Sequence, residues 1–162
     1  MDEHDMRYTY VTDALYLKQW LQSPGMLDVF PMATEKELED AAQCWIGFSR
    51  WSCSLTATVA HVPCAIGTLF LMPYKKVAHH CLFKILVDPK WQRKGIGSSL
   101  VRNLKHLAKN YFHLEMIDIE VFEGNPIIEL LKKEGFYEVF RQEKFVKEQG
   151  VYKARVFMEA KL

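Results

Sequence analysis

The sequence predicts a mixed α/β sheet of about seven strands flanked by about four helices, in the order βααβββαβαββ. Three observations predict it. Segments rich in β-forming residues come in runs instead of alternating singly with helices. One β-α-β crossover follows the middle of the chain, which calls for a parallel pair inside an otherwise antiparallel sheet. The chain has 162 residues, 49% hydrophobic and 25% charged, the size and balance of one domain that buries a core without disulfide or metal support.

The elements follow in order. Residues 7–11 alternate β-formers and read as a short first strand. Thr12 or Asp13 is placed to cap a helix carrying Leu15, Leu17, Trp20 and Leu21, and Ser23-Pro24-Gly25 stops it. Thr34 with Glu37 forms a capping box, and the helix behind it sets Leu38, Ala41, Ala42, Trp45 and Phe48 at helical spacing. Two strands are expected over 51–61 and 65–74, turned at Val62-Pro63-Cys64, and a third over 79–87 that ends at Asp88-Pro89. Gly95-Ile96-Gly97 opens a long helix with Ile96, Leu100, Val101, Leu104, Leu107 and Ala108 on one face. A strand over 113–121 follows. Asn125-Pro126 supplies a cap and a first-turn proline for a short helix through Glu134, closed by Gly135. A terminal hairpin spans 136–146 and 151–162, turned at Glu148-Gln149-Gly150, and its edge makes a homodimer plausible. No repeat, linker or low-complexity segment interrupts this order.

Composition narrows the function classes. The acidic start Met1-Asp2-Glu3-His4-Asp5 shows no signal peptide, and the apolar stretch 65–73 is far short of the roughly 20 residues of a membrane helix. Cys44, Cys53, Cys64 and Cys81 form no CxxC pair and read as reduced thiols of a cytoplasmic protein with no metal site. His79 and His80 adjoin Cys81, but neighbours on a strand point to opposite faces and do not converge on one ion. Net charge is +1, yet it is segregated: residues 1–43 are acidic, while residues 84–109 hold seven basic side chains against the single acid Asp88. The basic stretch indicates an anionic ligand, and the competing reading is a solvated helix face. Without interleaved aromatics or a known motif it does not indicate nucleic acid.

The stretch Val87-Asp88-Pro89-Lys90-Trp91-Gln92-Arg93-Lys94-Gly95-Ile96-Gly97-Ser98 joins a buried strand to a helix through a glycine-bearing, basic loop. The first helical amides lack internal acceptors, and with the helix dipole they bind phosphate through the backbone alone. Leu100 stands where a dinucleotide fingerprint needs a third small residue, and the Gly-Lys-Ser/Thr of a P-loop is absent.

Gln92-Arg93-Lys94-Gly95-Ile96-Gly97 resembles the Q/R-x-x-G-x-G/A signature of the GNAT superfamily of N-acetyltransferases. The preceding Ile85-Leu86-Val87-Asp88-Pro89 resembles the strand that leads into it. Ile119-Glu120-Val121, Asn125 and Gly135-Phe136 resemble the family's later strand, Asn, short helix and Gly-Phe. The matches are ordered over residues 51–162, and residues 1–50 agree through their strand-helix-helix order. The resemblance implies one N-acetyltransferase-like domain over 1–162 with a GNAT-like fold. It implies acetyl-CoA as co-substrate, a primary amine as acceptor, and transfer by direct attack on the thioester. A family-shaped module that binds CoA without transfer is the alternative.

By similarity, the backbone of residues 92–98 (Gln92, Arg93, Lys94, Gly95, Ile96, Gly97, Ser98) holds the pyrophosphate. Backbone groups of Ile85 and Val87 pair with pantetheine, and one of those amides polarises the thioester carbonyl. Asn125 resembles the Asn that contacts the cofactor arm, while a plain helix N-cap is its other reading. The family's frequent Glu base falls at Cys81; a free imidazole, with a pKa of about 6.5, suits a base at neutral pH, so His80 is the first candidate ahead of His79, and Glu120 is the competitor. The family's frequent Tyr acid falls at Leu131, which leaves Tyr137 as the nearby candidate acid. The acceptor pocket is expected from the N-terminal helices and the terminal hairpin, with Phe30-Pro31-Met32 over it and Trp45 and Phe48 in the core. The acidic first quarter suits a cationic acceptor.

Overall fold

The computed structural model describes residues 3–162. Seven strands form one sheet in the order β1-β2-β3-β4-β5-β7-β6. They are β1 (Asp5–Tyr8), β2 (Ser54–Val59), β3 (Val62–Phe70), β4 (His80–Val87), β5 (Met116–Phe122), β6 (Tyr137–Glu148) and β7 (Val151–Lys161). Four α-helices cover it: α1 (Ala14–Leu21), α2 (Glu35–Gly47), α3 (Ile96–Asn110) and α4 (Ile127–Lys133). The order is the one the sequence predicts. β4 and β5, joined through α3, are the parallel pair, and every other neighbouring pair is antiparallel.

The alternation of each strand builds two cores. Phe83 and Ile85 of β4, Ile117, Ile119 and Val121 of β5, and Val156 and Met158 of β7 point to one face. There they pack on Ile96, Leu100, Val101 and Leu104 of α3 and on Leu131 of α4. On the opposite face, Leu17, Trp20 and Leu21 of α1 and Leu38, Ala42 and Trp45 of α2 pack on Ile66 of β3 and Leu86 of β4. Trp45 is buried as expected, its indole N–H donating to Thr68 Oγ1 at 2.8 Å. Helix α3 packs tightly on the sheet over Gly67, where a Cβ would stand 2.6 Å from Leu104 Cδ1 and 3.1 Å from both Leu100 Cγ and Ile85 Cγ2. Among the described residues no helix is long and apolar enough to cross a membrane.

Three expectations change. The β2–β3 turn is at Ala60-His61, with φ of 50° and 67°, and Val62-Pro63-Cys64 already lie in β3. Two left-handed residues give a two-residue loop the twist its strands require, and Ala-His carries none of the usual Gly or Asn signal. β1 ends at Tyr8, because Val11–Asp13 coil into a 3₁₀ turn. Asp13 does not cap α1. Its buried carboxylate accepts from Arg7 Nη1 (2.8 Å) and Nη2 (3.0 Å), the Tyr10 amide (2.9 Å) and Thr56 Oγ1 (2.9 Å). An ion pair thus anchors the first strand to the second, the buried partner having all its strong donors in place.

Candidate active site

β4 and β5 are hydrogen-bonded only at their starts, at His80↔Met116, Cys81↔Ile117 and Leu82↔Asp118. On its other side β4 stays paired with β3 as far as Val87. The Asp88 amide bonds Cys64 O at 2.8 Å toward β3, and His79 O accepts from the Glu115 amide at 2.7 Å toward β5. Backbone groups alternate sides along a strand, so beyond the Leu82↔Asp118 rung the C=O of Phe83 and the backbone groups of Ile85 and Val87 face the gap where β5 has splayed away. An extended amide-bearing arm can fill such a gap as an added strand does. Ile85 and Val87, the two residues the sequence singles out, are among those whose backbone faces it.

The loop at the end of β4 is shaped by local chemistry. Asp88 accepts from the Lys90 amide (3.0 Å) and its carbonyl from the Trp91 amide (2.8 Å), coiling Pro89–Trp91 into a 3₁₀ turn. The Gln92 carboxamide donates back to Val87 O at 3.2 Å. Arg93 (φ 60°) and Gly95 (φ 82°) are left-handed, and Gly95 reverses the chain into α3 without any side-chain cap. The first turn bond is Ser99 N to Gly95 O, at 3.1 Å, so the amides of Ile96, Gly97 and Ser98 have no acceptor within the helix. Among the described residues neither Arg93 nor Lys94 has an acidic partner, and Lys94 Nζ lies 5.2 Å from the Trp91 ring centre. The three free amides, the positive end of the helix dipole and the adjacent Arg93 and Lys94 give this turn the chemistry of an anion site.

Gly97 has a different reason from the one expected of a phosphate loop. A Cβ there would meet Leu130 Cδ1 at 2.9 Å and Val87 Cγ2 at 3.6 Å, so its smallness seats α4 on α3. The basic stretch also divides. Arg102 pairs with Glu134 at 2.9 Å and Lys105 donates to Glu134 O at 2.8 Å, which ties α3 to the end of α4. These two are clamps, not a merely wet helix face.

Asn125 Oδ1 accepts from the Ile127 amide at 3.0 Å and starts α4, the capping role its sequence position suggests. Leu131 is fully buried in the α3/α4 core. Cys81 is buried on that same side, and burial pushes its thiol up to about 12, so it takes no proton at neutral pH.

The other face of β5–β7 carries polar side chains in rows. The registers align Asp118 with Glu159 and Tyr137, and Glu120 with Phe157 and Phe140. Helices α1 and α2 pack over Ile66 of β3 and Leu86 of β4, on the same face of the sheet as these rows. The hairpin is tied to the α1–α2 connection, where Lys153 Nζ donates to Asp28 O at 3.0 Å. Phe30 and Met32 pack partly buried against the α1/α2 core at that connection. Phe140 stacks on Phe157 with ring centres 4.9 Å apart.

The candidate bases lie at different depths. Glu120 is two residues beyond Asp118, the last β5 residue paired with β4, where the gap begins to open, and Arg155 holds its Oε2 at 2.9 Å. Arg155 is fixed in turn by Gln142 Oε1 at 2.8 Å. His80 sits at the closed end, roughly 16 Å from Ile85 along the strand at about 3.3 Å per residue. Its Nδ1 is 3.4 Å from Asp118 Oδ2. Tyr137 is not brought to the gap: its hydroxyl donates to Glu159 Oε1 at 2.8 Å, on a strand two removed from β5.

Asp118 and Glu159 were not foreseen. Burial, with Glu159 beside it, pushes the Asp118 carboxyl up to about 7, while the hydrogen bond with Asp118 holds Glu159 below its usual range. The signal for Asp118 was the alternation Ile117-Asp118-Ile119-Glu120-Val121, which places two acids on one sheet face.

A parallel strand pair that opens beyond its third residue and ends in an amide-lined turn is the arrangement that the resemblance to acetyl-CoA-dependent acyltransferases implies. Comparison with known proteins agrees: residues 14–136 match the Acetyltransferase (GNAT) family, and the chain belongs to that family. Over 82 residues it is 30% identical to the L-amino acid N-acetyltransferase AaaT of Escherichia coli K12, a match spanning 50% of this chain and 51% of that protein. The fold recurs in a ribosomal-protein-alanine N-acetyltransferase from Brucella melitensis (TM-score 0.81, 18% identity, 98% of this chain and 99% of that one). It recurs also in a protein described as an acetyltransferase from Salmonella typhimurium, solved with its cofactor acetyl-CoA (TM-score 0.77, 14% identity, 98% and 94% covered).

Proposed function

We propose that the chain is an N-acetyltransferase that moves an acetyl group from acetyl-CoA to a primary amine bound over β5–β7. The observation that carries the reading is the unpaired edge of β4 beyond Leu82, continuous with the amides of the Gly95–Ser98 turn. Acetyl-CoA supplies an acetyl group activated as a thioester. The chain's part is to bind and orient it: Ile85 and Val87 through their backbone, the 92–98 loop through its amides, Arg93 and Lys94 through charge. One gap-facing amide, that of Ile85, polarises the carbonyl at no cost of reorganisation.

On the acceptor side, Glu120 is the base nearest the gap and takes the proton of the attacking amine; Arg155 keeps its carboxylate in place. Leu131 offers no proton to the departing sulfur, and Tyr137 is engaged elsewhere, so the sulfur is protonated by water or by the proton Glu120 has just accepted. The likeness to AaaT favours an amino-acid α-amine as acceptor.

Two measurements test this. Thermal stability should rise with acetyl-CoA, by about 2.7 kcal/mol at a hundredfold excess over Kd. Free-thiol release is then followed across amino acids, diamines and peptides with free N-termini. Stabilisation without thiol release for any amine would leave a CoA-binding module, and no stabilisation would remove both readings. Glu120→Gln should lower kcat about 10²-fold or more with little effect on acetyl-CoA affinity.

A further inference from the structure

Four titratable side chains from four strands stand in one row on the acceptor side: His80 on β4, Asp118 on β5, Glu159 on β7 and Tyr137 on β6. Registers set Asp118 opposite Glu159 and Glu159 opposite Tyr137. His80 Nδ1 lies 3.4 Å from Asp118 Oδ2, and Tyr137 donates to Glu159. The Asp118 side chain is only 5% exposed, and its Oδ1 is buried with no hydrogen-bond partner. Two facing carboxylates, one of them almost dry, repel each other, and the orphaned oxygen lacks a hydrogen. A single proton held between Asp118 and Glu159 resolves both.

The surrounding charges do not replace that proton. Arg155 is committed to Glu120 and Gln142, and Lys84 lies over the Phe70 ring. Lys161 acts on Glu159 from the end of β7, and His79 packs edge-on to His80 with ring centres 4.8 Å apart.

We infer that Asp118 and Glu159 are positioning residues that share one proton and act as an adjustable counter-ion for His80, making His80 the outlet for the proton an ammonium acceptor must lose before it attacks. The inference rests on the reading that this face receives the amine. With Nδ1–H turned to Asp118, Nε2 keeps its lone pair. An N–H bond of the ammonium breaks, the electron pair stays on the amine nitrogen, and the proton passes through bridging water to Nε2, because His80 lies at the closed end of the gap. The shared proton shifts from Asp118 to Glu159, so the negative charge sits beside the imidazolium. Nε2 then releases its proton to water and the shared proton returns. The net change is one proton from acceptor to solvent, the proton that acetylating an ammonium must release.

The test combines carboxyl-¹³C and imidazole-¹⁵N NMR titration of the full chain with pH profiles of kcat/KM. The Asp118 carboxyl should titrate well above the ordinary value of about 3.9, and neutral His80 should carry its proton on Nδ1. Glu159→Gln should lower the Asp118 midpoint by about one unit. Asp118→Asn leaves the negative charge on Glu159, beyond ion-pair distance of His80, so the acid limb of kcat/KM should move down by about half a unit or more. Tyr137→Phe, at an exposed site, gives the same test should the buried variants fail to fold: without its donor Glu159 holds the proton more tightly and the Asp118 midpoint falls. An Asp118 that titrates in the ordinary range, or an acid limb unmoved by Asp118→Asn, overturns the inference. If no amine supports thiol release, the outlet role falls with the functional reading, and the titration on the protein alone still decides the shared proton.

Discussion

Gly67 connects core packing to the catalytic gap, and Gly67→Ala tests that connection. The residue lies opposite Ile85 in the β3–β4 register. Its missing Cβ would stand 2.6 Å from Leu104 Cδ1, where carbon–carbon contact is ordinarily about 3.5–4.0 Å. The Leu104 methyl therefore has to recede by about 1 Å. It has nowhere to go, since Leu100 and Leu104 are both fully buried in a close-packed layer. The second contact is harder still: Leu100 Cγ, at 3.1 Å, is a branch point and moves only if α3 moves. Overpacking of this kind costs about 1–3 kcal/mol, offset by the roughly 0.5–1 kcal/mol that glycine forfeits in a strand. The net is a loss of about 1.5 kcal/mol, a fall in Tm of about 3–6 °C for a chain of this size.

Thermal and urea unfolding of Gly67→Ala, Leu104→Ala and the double variant measure it. The alanine at 67 should cost much less once Leu104 is truncated, a coupling of about 1 kcal/mol or more. Because α3 carries the anion corner at its N-terminus, acetyl-CoA affinity should fall along with stability and recover in the double variant. A Gly67→Ala protein as stable as the parent, or additive free energies in the cycle, would refute the reasoning.

Other predictions follow from single contacts. Gly97→Ala should cost less than Gly67→Ala, because its main clash is with the Leu130 tip at 2.9 Å; Leu130→Ala should relieve it, and acetyl-CoA affinity should change little, all read by thermal shift. Burial pushes the thiols of Cys53 and Cys64 up to about 11 and Cys81 to about 12, while Cys44 is exposed, so a thiol reagent at neutral pH should label one cysteine in the folded protein and four after unfolding. For Asp13, burial opposes ionisation, but Arg7, the Tyr10 amide and Thr56 outweigh it and hold the carboxyl below its usual range. Ionised Asp13 therefore stabilises the fold above the ordinary carboxylate pKa of about 3.9, and the contribution is lost as pH falls through its lowered folded value. Urea midpoints across that acid range should show the loss, and Asp13→Ala should remove it while costing about 3 kcal/mol near neutral pH.

What could be read from the sequence was whatever depends on neighbours along the chain. Thr34 and Glu37 form their capping box as expected, because both partners lie within one helical turn. The 85–98 strand and loop could be read for the same reason: its glycine, its proline and its unsatisfied amides act on residues a few positions away. The Ala60-His61 turn was displaced because its left-handed geometry is imposed by the twist of β2 and β3, not by residues that favour it.

The acceptor side follows the opposite logic. Glu120 and Asp118 announce themselves as two acids on one face of a strand of Ile and Val, yet nothing near them in the chain tells them apart. Arg155 fixes the one and Glu159 loads the other with a proton, and both partners arrive from β7 through a register that the sequence does not contain. A one-residue slip of β7 would turn Arg155 and Glu159 into the α3 core and bring Val156 and Met158 out to face the acids. The burial of Val156, Met158 and Ala160 against α3 forbids that slip. The chemistry of the acceptor face is therefore set by apolar packing on the opposite side of the same strand. A core substitution at Met158 should alter the titration of Asp118 without touching it.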